Sequence, residues 1–184
     1  MNSWRLPNSV EICGKDYKIA TDFRDILEII SYLNDQEKPE LIRWYIALNL
    51  FYTDGIPSDQ EAAMQKLSDF ISEGEEDEHP GPKLIDWDQD AKAIIADVNK
   101  VAGTEIRSIP YLHWWTFLAY FRGIGEGQLS TIVSIRSKIA KHKKLEDWER
   151  EYYKENKNVI DFRHKYTQAE KDEQERLIEL LDGK

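Results

Sequence analysis

The sequence predicts a mainly α-helical bundle that begins with a short β-hairpin. Three observations carry this. From Thr21 onward, apolar residues recur at helical spacing in one stretch after another. Before Thr21 they alternate with polar residues on either side of a glycine. One run, IPYLHWWTFLAYF at residues 109–121, contains no Asp, Glu, Lys or Arg and is apolar on nearly every helical face, as expected of a helix buried within a bundle.

The opening hairpin is read from Val10-Glu11-Ile12 and Tyr17-Lys18-Ile19 around the turn Cys13-Gly14-Lys15-Asp16. A lone hairpin is only marginally stable, so it is expected to lie on the helices or to add to a partner's strands through its exposed edges. Thr21 or Asp22 then caps a helix with the stripe Phe23, Ile26, Leu27, Ile30 and Leu33. A connector at 34–39 leads to a second, strongly apolar helix with Leu41, Trp44, Tyr45, Leu48 and Phe51, closed by Asp54-Gly55-Ile56-Pro57. A third helix starts at Ser58 or Asp59 and turns Ala62, Ala63, Leu67, Phe70 and Ile71 inward.

Residues 73–83 place five acids within six positions before Pro80-Gly81-Pro82, which no packed helix accommodates, and are read as a solvated linker. Beyond it, Ala91, Ile94, Ile95, Val98 and Val101 form a helix ended by Gly103. The aromatic helix follows, with Pro110 in its first turn as the central core element, and it stops at Gly123-Ile124-Gly125-Glu126-Gly127. Leu129, Ile132, Val133, Ile135 and Ile139 mark the next helix; Leu145, Trp148, Tyr152 and Tyr153 mark another. The organisation is therefore 1–72 (hairpin plus helices), 73–83 (linker), 84–164 (aromatic-rich helices) and 165–184 (charged tail), within one compact domain. In that tail, Leu177, Ile178, Leu180 and Leu181 supply an apolar patch suited to ordering on a partner.

Charge is distributed unevenly over the 184 residues. Residues 1–82 carry 7 Lys/Arg against 17 Asp/Glu, a net of −10; residues 83–184 carry 18 of each. The acidic half argues against nucleic acid and favours a basic partner. The first residues lack an apolar signal core, no run approaches the ~20 apolar residues of a membrane span, and the single Cys13 suits a reducing cytoplasm.

Catalytic and metal signatures are weak throughout. Asp86, Asp88 and Asp90 resemble the start of a calcium loop, but Ala91, Ile94 and Asp97 stand where glycine and further ligands belong, so the acids are read as favouring the helix N-terminus that follows. Gly123, Gly125 and Gly127 lack the Lys-Ser/Thr of a phosphate loop and read as a turn. The histidines at 79, 113, 142 and 164 have no metal-ligand spacing, and His113 is expected to be buried and hydrogen-bonded. No nucleophile or acid–base pair emerges, and no cofactor is expected. Two groups remain as contacts for a partner: the aromatics Tyr111, Trp115 and Tyr120, and Arg136, Lys141 and Lys144 from the basic run 136–144. The run sits at a helix C-terminus, where cations are favoured without any partner.

The order of motifs resembles a known family. Ile85-Asp86-Trp87-Asp88-Gln89-Asp90, the 109–117 stretch IPYLHWWTF, Leu129-Ser130-Thr131-Ile132-Val133-Ser134-Ile135-Arg136, Lys143-Lys144-Leu145-Glu146 and the 148–157 stretch WEREYYKENK together look like the Gp15 family of tailed bacteriophages and prophages. The likeness covers most of the chain, including the hairpin with Gly14 and Tyr17. It implies a non-enzymatic role in tail assembly, in the cytoplasm of the bacterial host. Members typically lie near the tape-measure gene, so a chaperone binding the tape-measure protein or tail-tube subunits is the implied function, and self-association a further expectation. Two alternatives compete with it: a structural component of the virion, and a nucleic-acid-associated protein using the 136–144 run.

Overall fold

The computed structural model describes residues 4–75 and 81–163, together with Arg176. Strands β1 (Ser9–Ile12) and β2 (Lys15–Lys18) pair antiparallel with Ile12 opposite Lys15. The connecting loop is thus only Cys13-Gly14, shorter than the four-residue turn expected. Both residues have positive φ, 51° and 75°, as a two-residue hairpin turn that matches strand twist requires. Val10 and Ile12 enter the core, so the hairpin is anchored on the helices.

Helices α1 (Phe23–Leu33), α2 (Glu40–Phe51) and α3 (Gln60–Ile71) form the first half. Asp22 caps α1 by accepting the Arg24 N–H, and Asp59 caps α3 by accepting the Ala62 N–H. The second half holds α4 (Ala91–Ala102), a single 3-10 turn (Ile106–Ser108), α5 (Trp114–Arg122), α6 (Gln128–Ala140), α7 (Asp147–Glu155) and the short α8 (Lys157–Ile160). Gly103 ends α4 in the left-handed conformation, as its position predicts. The fold is therefore mainly helical with a two-stranded N-terminal hairpin.

One core joins the two halves. Phe23 of α1 stacks on Phe117 of α5 with centroids 4.9 Å apart, and Trp87 packs edge-on to Trp114 and against Phe121. Trp114 and Phe117 are each only 1% exposed, as the reading of α5 as a central core helix requires. Its start differs from expectation. The helix begins at Trp114, and residues 109–112 precede it outside any helix, as bend and irregular chain. Arg24 donates to the carbonyls of Ile109 and Pro110, Asp22 accepts the Leu112 N–H, and Thr21 Oγ1 lies 2.7 Å from the Tyr111 hydroxyl. Backbone bonds Phe23 N–H to Leu112 O and Trp114 N–H to Thr21 O complete the junction. The helical pairing that Pro110 was expected to initiate is replaced by this tie between the N-termini of α1 and α5.

The linker expected at 73–83 lies partly outside the described residues, at 76–80. Of the rest, Glu73 and Glu75 both pair with Arg122 at the end of α5. The tail at 165–184 lies outside the described residues apart from Arg176.

Candidate interaction surface

The six residues expected to contact a partner do not assemble into one surface. Tyr111 is exposed, with its hydroxyl at Thr21. Trp115 and Tyr120 are half-buried and lie five residues apart on α5, about 140° around the helix. The Trp115 indole N–H donates to Phe70 O at 2.9 Å, and the Trp114 indole N–H to Ile71 O at 3.0 Å. Two adjacent tryptophans thereby satisfy carbonyls in the last turn of α3, groups a helix end leaves without intrahelical donors. His113 is 4% exposed and caps α5: Nδ1 accepts the Trp115 N–H, which makes Nε2 the donor to Pro7 O at 3.0 Å. A catalytic base would need a free ring nitrogen; here both are committed.

Arg136 requires a correction. It is 4% exposed and points inward, so the basic contact expected there is internal. Its five N–H groups are all used. Nη1 and Nη2 meet the two Asp90 carboxylate oxygens at 2.6 and 2.9 Å, Nη1 also reaches Leu84 O, Nη2 reaches Val159 O, and Nε donates to Ile160 O. Phe162 covers the guanidinium at 4.0 Å. Asp90, read as favouring the start of α4, is the N-cap residue but makes no side-chain capping bond; it serves Arg136 and the Asp86 N–H instead. Asp86 organises the preceding turn by accepting the N–H groups of Asp88 and Gln89. Asp86 and Asp90 are thus structural, and Asp88 accepts the Ser31 hydroxyl at 3.3 Å. Among the described residues no cluster of His, Cys, Asp and Glu is arranged to hold a metal ion, and no helix is long and apolar enough to cross a membrane.

Two further buried acids repeat this theme. Asp97 of α4, 2% exposed, accepts the Leu129 N–H at the start of α6 and pairs with Lys100. Glu149 of α7, 1% exposed, binds Lys138 through both oxygens and accepts the Glu146 N–H. The Lys138 ammonium holds the Glu149 carboxyl below the ordinary range, against the opposing effect of burial. The expected basic run therefore keeps an outward face only at its end, where Lys141, His142, Lys143 and Lys144 are exposed on the turn after α6.

A group of exposed apolar residues lies elsewhere, on α2. Leu41 is 77% exposed, Tyr45 61% and Ile42 45%, while Ala47, Leu48 and Phe51 face the core. Leu41, Ile42, Trp44, Tyr45 and Leu48, with Ile56 and Met64 across from them, line an open groove of about 690 Å³ between α2 and α3; Glu40 and Gln60 complete its lining. A volume of this size is typical of a binding site. The stripe read from Leu41, Trp44, Tyr45, Leu48 and Phe51 is therefore divided, its C-terminal members in the core and Leu41 and Tyr45 outside. The missed signal was excess: nine of the twelve α2 residues are apolar, more than one buried face accommodates.

Among known protein families, the one described as Bacteriophage Gp15 protein matches residues 3–162 of the chain. The comparisons with curated proteins and with solved structures give no match.

Proposed function

We propose that this chain, which belongs to the Bacteriophage Gp15 protein family, is a non-catalytic tail assembly chaperone acting in the cytoplasm of the bacterial host. Its clients are the tape-measure protein and, through it, tail-tube subunits. The observation that carries this reading is the open apolar face of α2, with Leu41, Ile42 and Tyr45 standing in solvent beside a formed groove. Scattered apolar residues on a surface need no explanation, but a contiguous group lining a groove is characteristic of interaction sites. A long helical protein presents apolar stripes that aggregate until they are covered, and helix-in-groove packing covers them reversibly. The acidic first half keeps such a complex soluble.

The test is co-expression with the tape-measure protein of the same phage, followed by size-exclusion chromatography. The expected result is a soluble complex, where the tape measure alone is insoluble. A tape measure that stays insoluble and never co-elutes refutes the reading. Recovery of the protein from purified virions in stoichiometric amount would instead identify a structural component.

A further inference from the structure

The α2–α3 groove has a chemical character beyond being apolar. Among the described residues, Glu40 is the only charged side chain lining it. Residues 34–71, which build the groove and its surroundings, carry seven Asp/Glu against three Lys/Arg, a net of −4. Of those three cations, Lys38 is held by Asp35, and Arg43 donates to Leu33 O at 2.7 Å. The lining thus carries one negative charge and no positive one, on a segment that is net acidic.

We infer that the groove binds an amphipathic helix whose apolar stripe is flanked by lysine or arginine. This deepens the tail-assembly reading, on which it rests for the identity of the partner alone. The length fits: α2 has twelve residues and spans about 18 Å, so a partner helix lying along it presents about three turns. Anchors at i, i+3 or i+4, and i+7 would meet the Leu41, Tyr45 and Leu48 level of the floor. Flanking cations then face the acidic surroundings, which steers encounter and sets orientation. Two other occupants meet the wrong charge. A second copy seated face to face would oppose one acidic groove to another. The chain's own segment 164–184 offers Leu177, Ile178, Leu180 and Leu181, but it carries six Asp/Glu against four Lys/Arg, again net negative.

The inference is tested on the full chain with synthetic labelled helices, longer than roughly 15 residues so that they fold in water. One bears a Leu stripe flanked by lysines; a second has the same stripe flanked by glutamates; a third has the lysine peptide's composition in scrambled order. Anisotropy titrations are expected to show the lysine peptide binding at least about tenfold tighter than either control at low salt. The gap to the glutamate peptide narrows as added salt shortens the screening length. The Leu41→Ala/Tyr45→Ala variant, altered at exposed positions and checked by circular dichroism for an unchanged fold, is expected to bind about tenfold more weakly. Equal binding of the lysine and glutamate peptides, or binding unaffected by that variant, overturns the inference. So does a wild-type dimer that becomes monomeric in the variant, since a second copy then fills the groove. Binding that appears only after Leu177, Ile178, Leu180 and Leu181 are made polar overturns it as well, in favour of the chain's own tail. Peptide binding with a tape measure left insoluble would preserve this inference and refute the chaperone reading alone.

Discussion

Removing the Arg136 guanidinium is expected to destabilise the protein by several kcal/mol. The side chain ties two separate stretches to α6: Leu84 and Asp90 before α4, and Val159 and Ile160 at α8. Replacing it by methionine keeps the apolar stem and deletes every donor. Asp90 is then left as a buried carboxylate without its cation, and breaking one partner of a buried pair costs about 3–5 kcal/mol. Native domains have about 5–15 kcal/mol in total, so from about a fifth to all of the stability is at stake. The Arg136→Lys variant does not rescue it, because an ammonium has three donors at one point and cannot span Asp90 and three carbonyls at once.

The double variant Arg136→Met/Asp90→Leu separates charge from hydrogen bonding. If the pair alone mattered, replacing both members by apolar residues would be nearly neutral. Here Val159 O retains the Gln89 amide, but Leu84 O and Ile160 O lose the Arg136 donor, at about 1–3 kcal/mol for each left unsatisfied. The double variant should therefore recover only part of the loss. Urea unfolding followed by tryptophan fluorescence measures all three. A midpoint for Arg136→Met within about 1 kcal/mol of wild type, or a double variant equal to wild type, refutes the clasp as described.

Three other outcomes follow from the same contacts. Gly127→Ala places a Cβ within 2.5–2.6 Å of the Asp97 carboxyl, which is buried and committed to Leu129, so a loss of about 1–3 kcal/mol is expected in thermal unfolding; an unchanged melting temperature contradicts that packing. Trp114→Phe and Trp115→Phe keep a ring but delete the N–H groups that end α3, and each should cost about 0.5–1.5 kcal/mol in urea, with amide exchange rising in the last turn of α3; exchange unchanged there counts against the capping role. Stability should fall on acidification. For Asp22, burial raises the carboxyl, but hydrogen bonds from Arg24 and Leu112 outweigh it and bring it below its usual value; Arg107 lowers Glu105 to about 2, and Lys138 lowers Glu149. Groups whose folded value lies below the unfolded one stabilise the fold above the unfolded value and lose that contribution as pH falls through the folded one, which for Glu105 runs from 4.5 to about 2. Asp25, raised chiefly by burial, acts in the opposite sense. A urea midpoint that stays level through that window rules out the ion pairs as a net contribution.

What the sequence made legible was local. The hairpin followed from alternation around Gly14, the end of α4 from Gly103, and α1 from a single clean stripe, because each depends on residues within a few positions. The start of α5 did not follow, since Pro110 is compatible with a first helical turn and only contacts from Thr21, Asp22 and Arg24, some 85–90 residues away, hold residues 109–112 out of the helix. The three buried charges within helices were also misplaced or missed, although all sit on apolar stripes. Arg136 is four residues from Ile132 and seven from Leu129; Glu149 is four from Leu145 and three from Tyr152; Asp97 is three from Ile94. A charge at a core position of an amphipathic helix must either find a partner inside or break the packing.

The same reasoning, inverted, bears on the surface. A charge on an apolar stripe implies an internal partner, and an apolar residue beyond the width of the stripe implies an external one. Helix α2 meets the second condition. Its neighbours α1 and α3 bury Ala47, Leu48 and Phe51, but no described element covers Leu41, Ile42 and Tyr45. Exposing that area to water has a cost of roughly 25 cal/mol for each Å² that a partner could otherwise bury. Polar residues at these positions would remove this cost without disturbing the core, because the three side chains contribute little to it. The folding of the chain therefore does not account for the apolar choice, and the Leu41→Ala/Tyr45→Ala variant is the direct test of the proposed partner there.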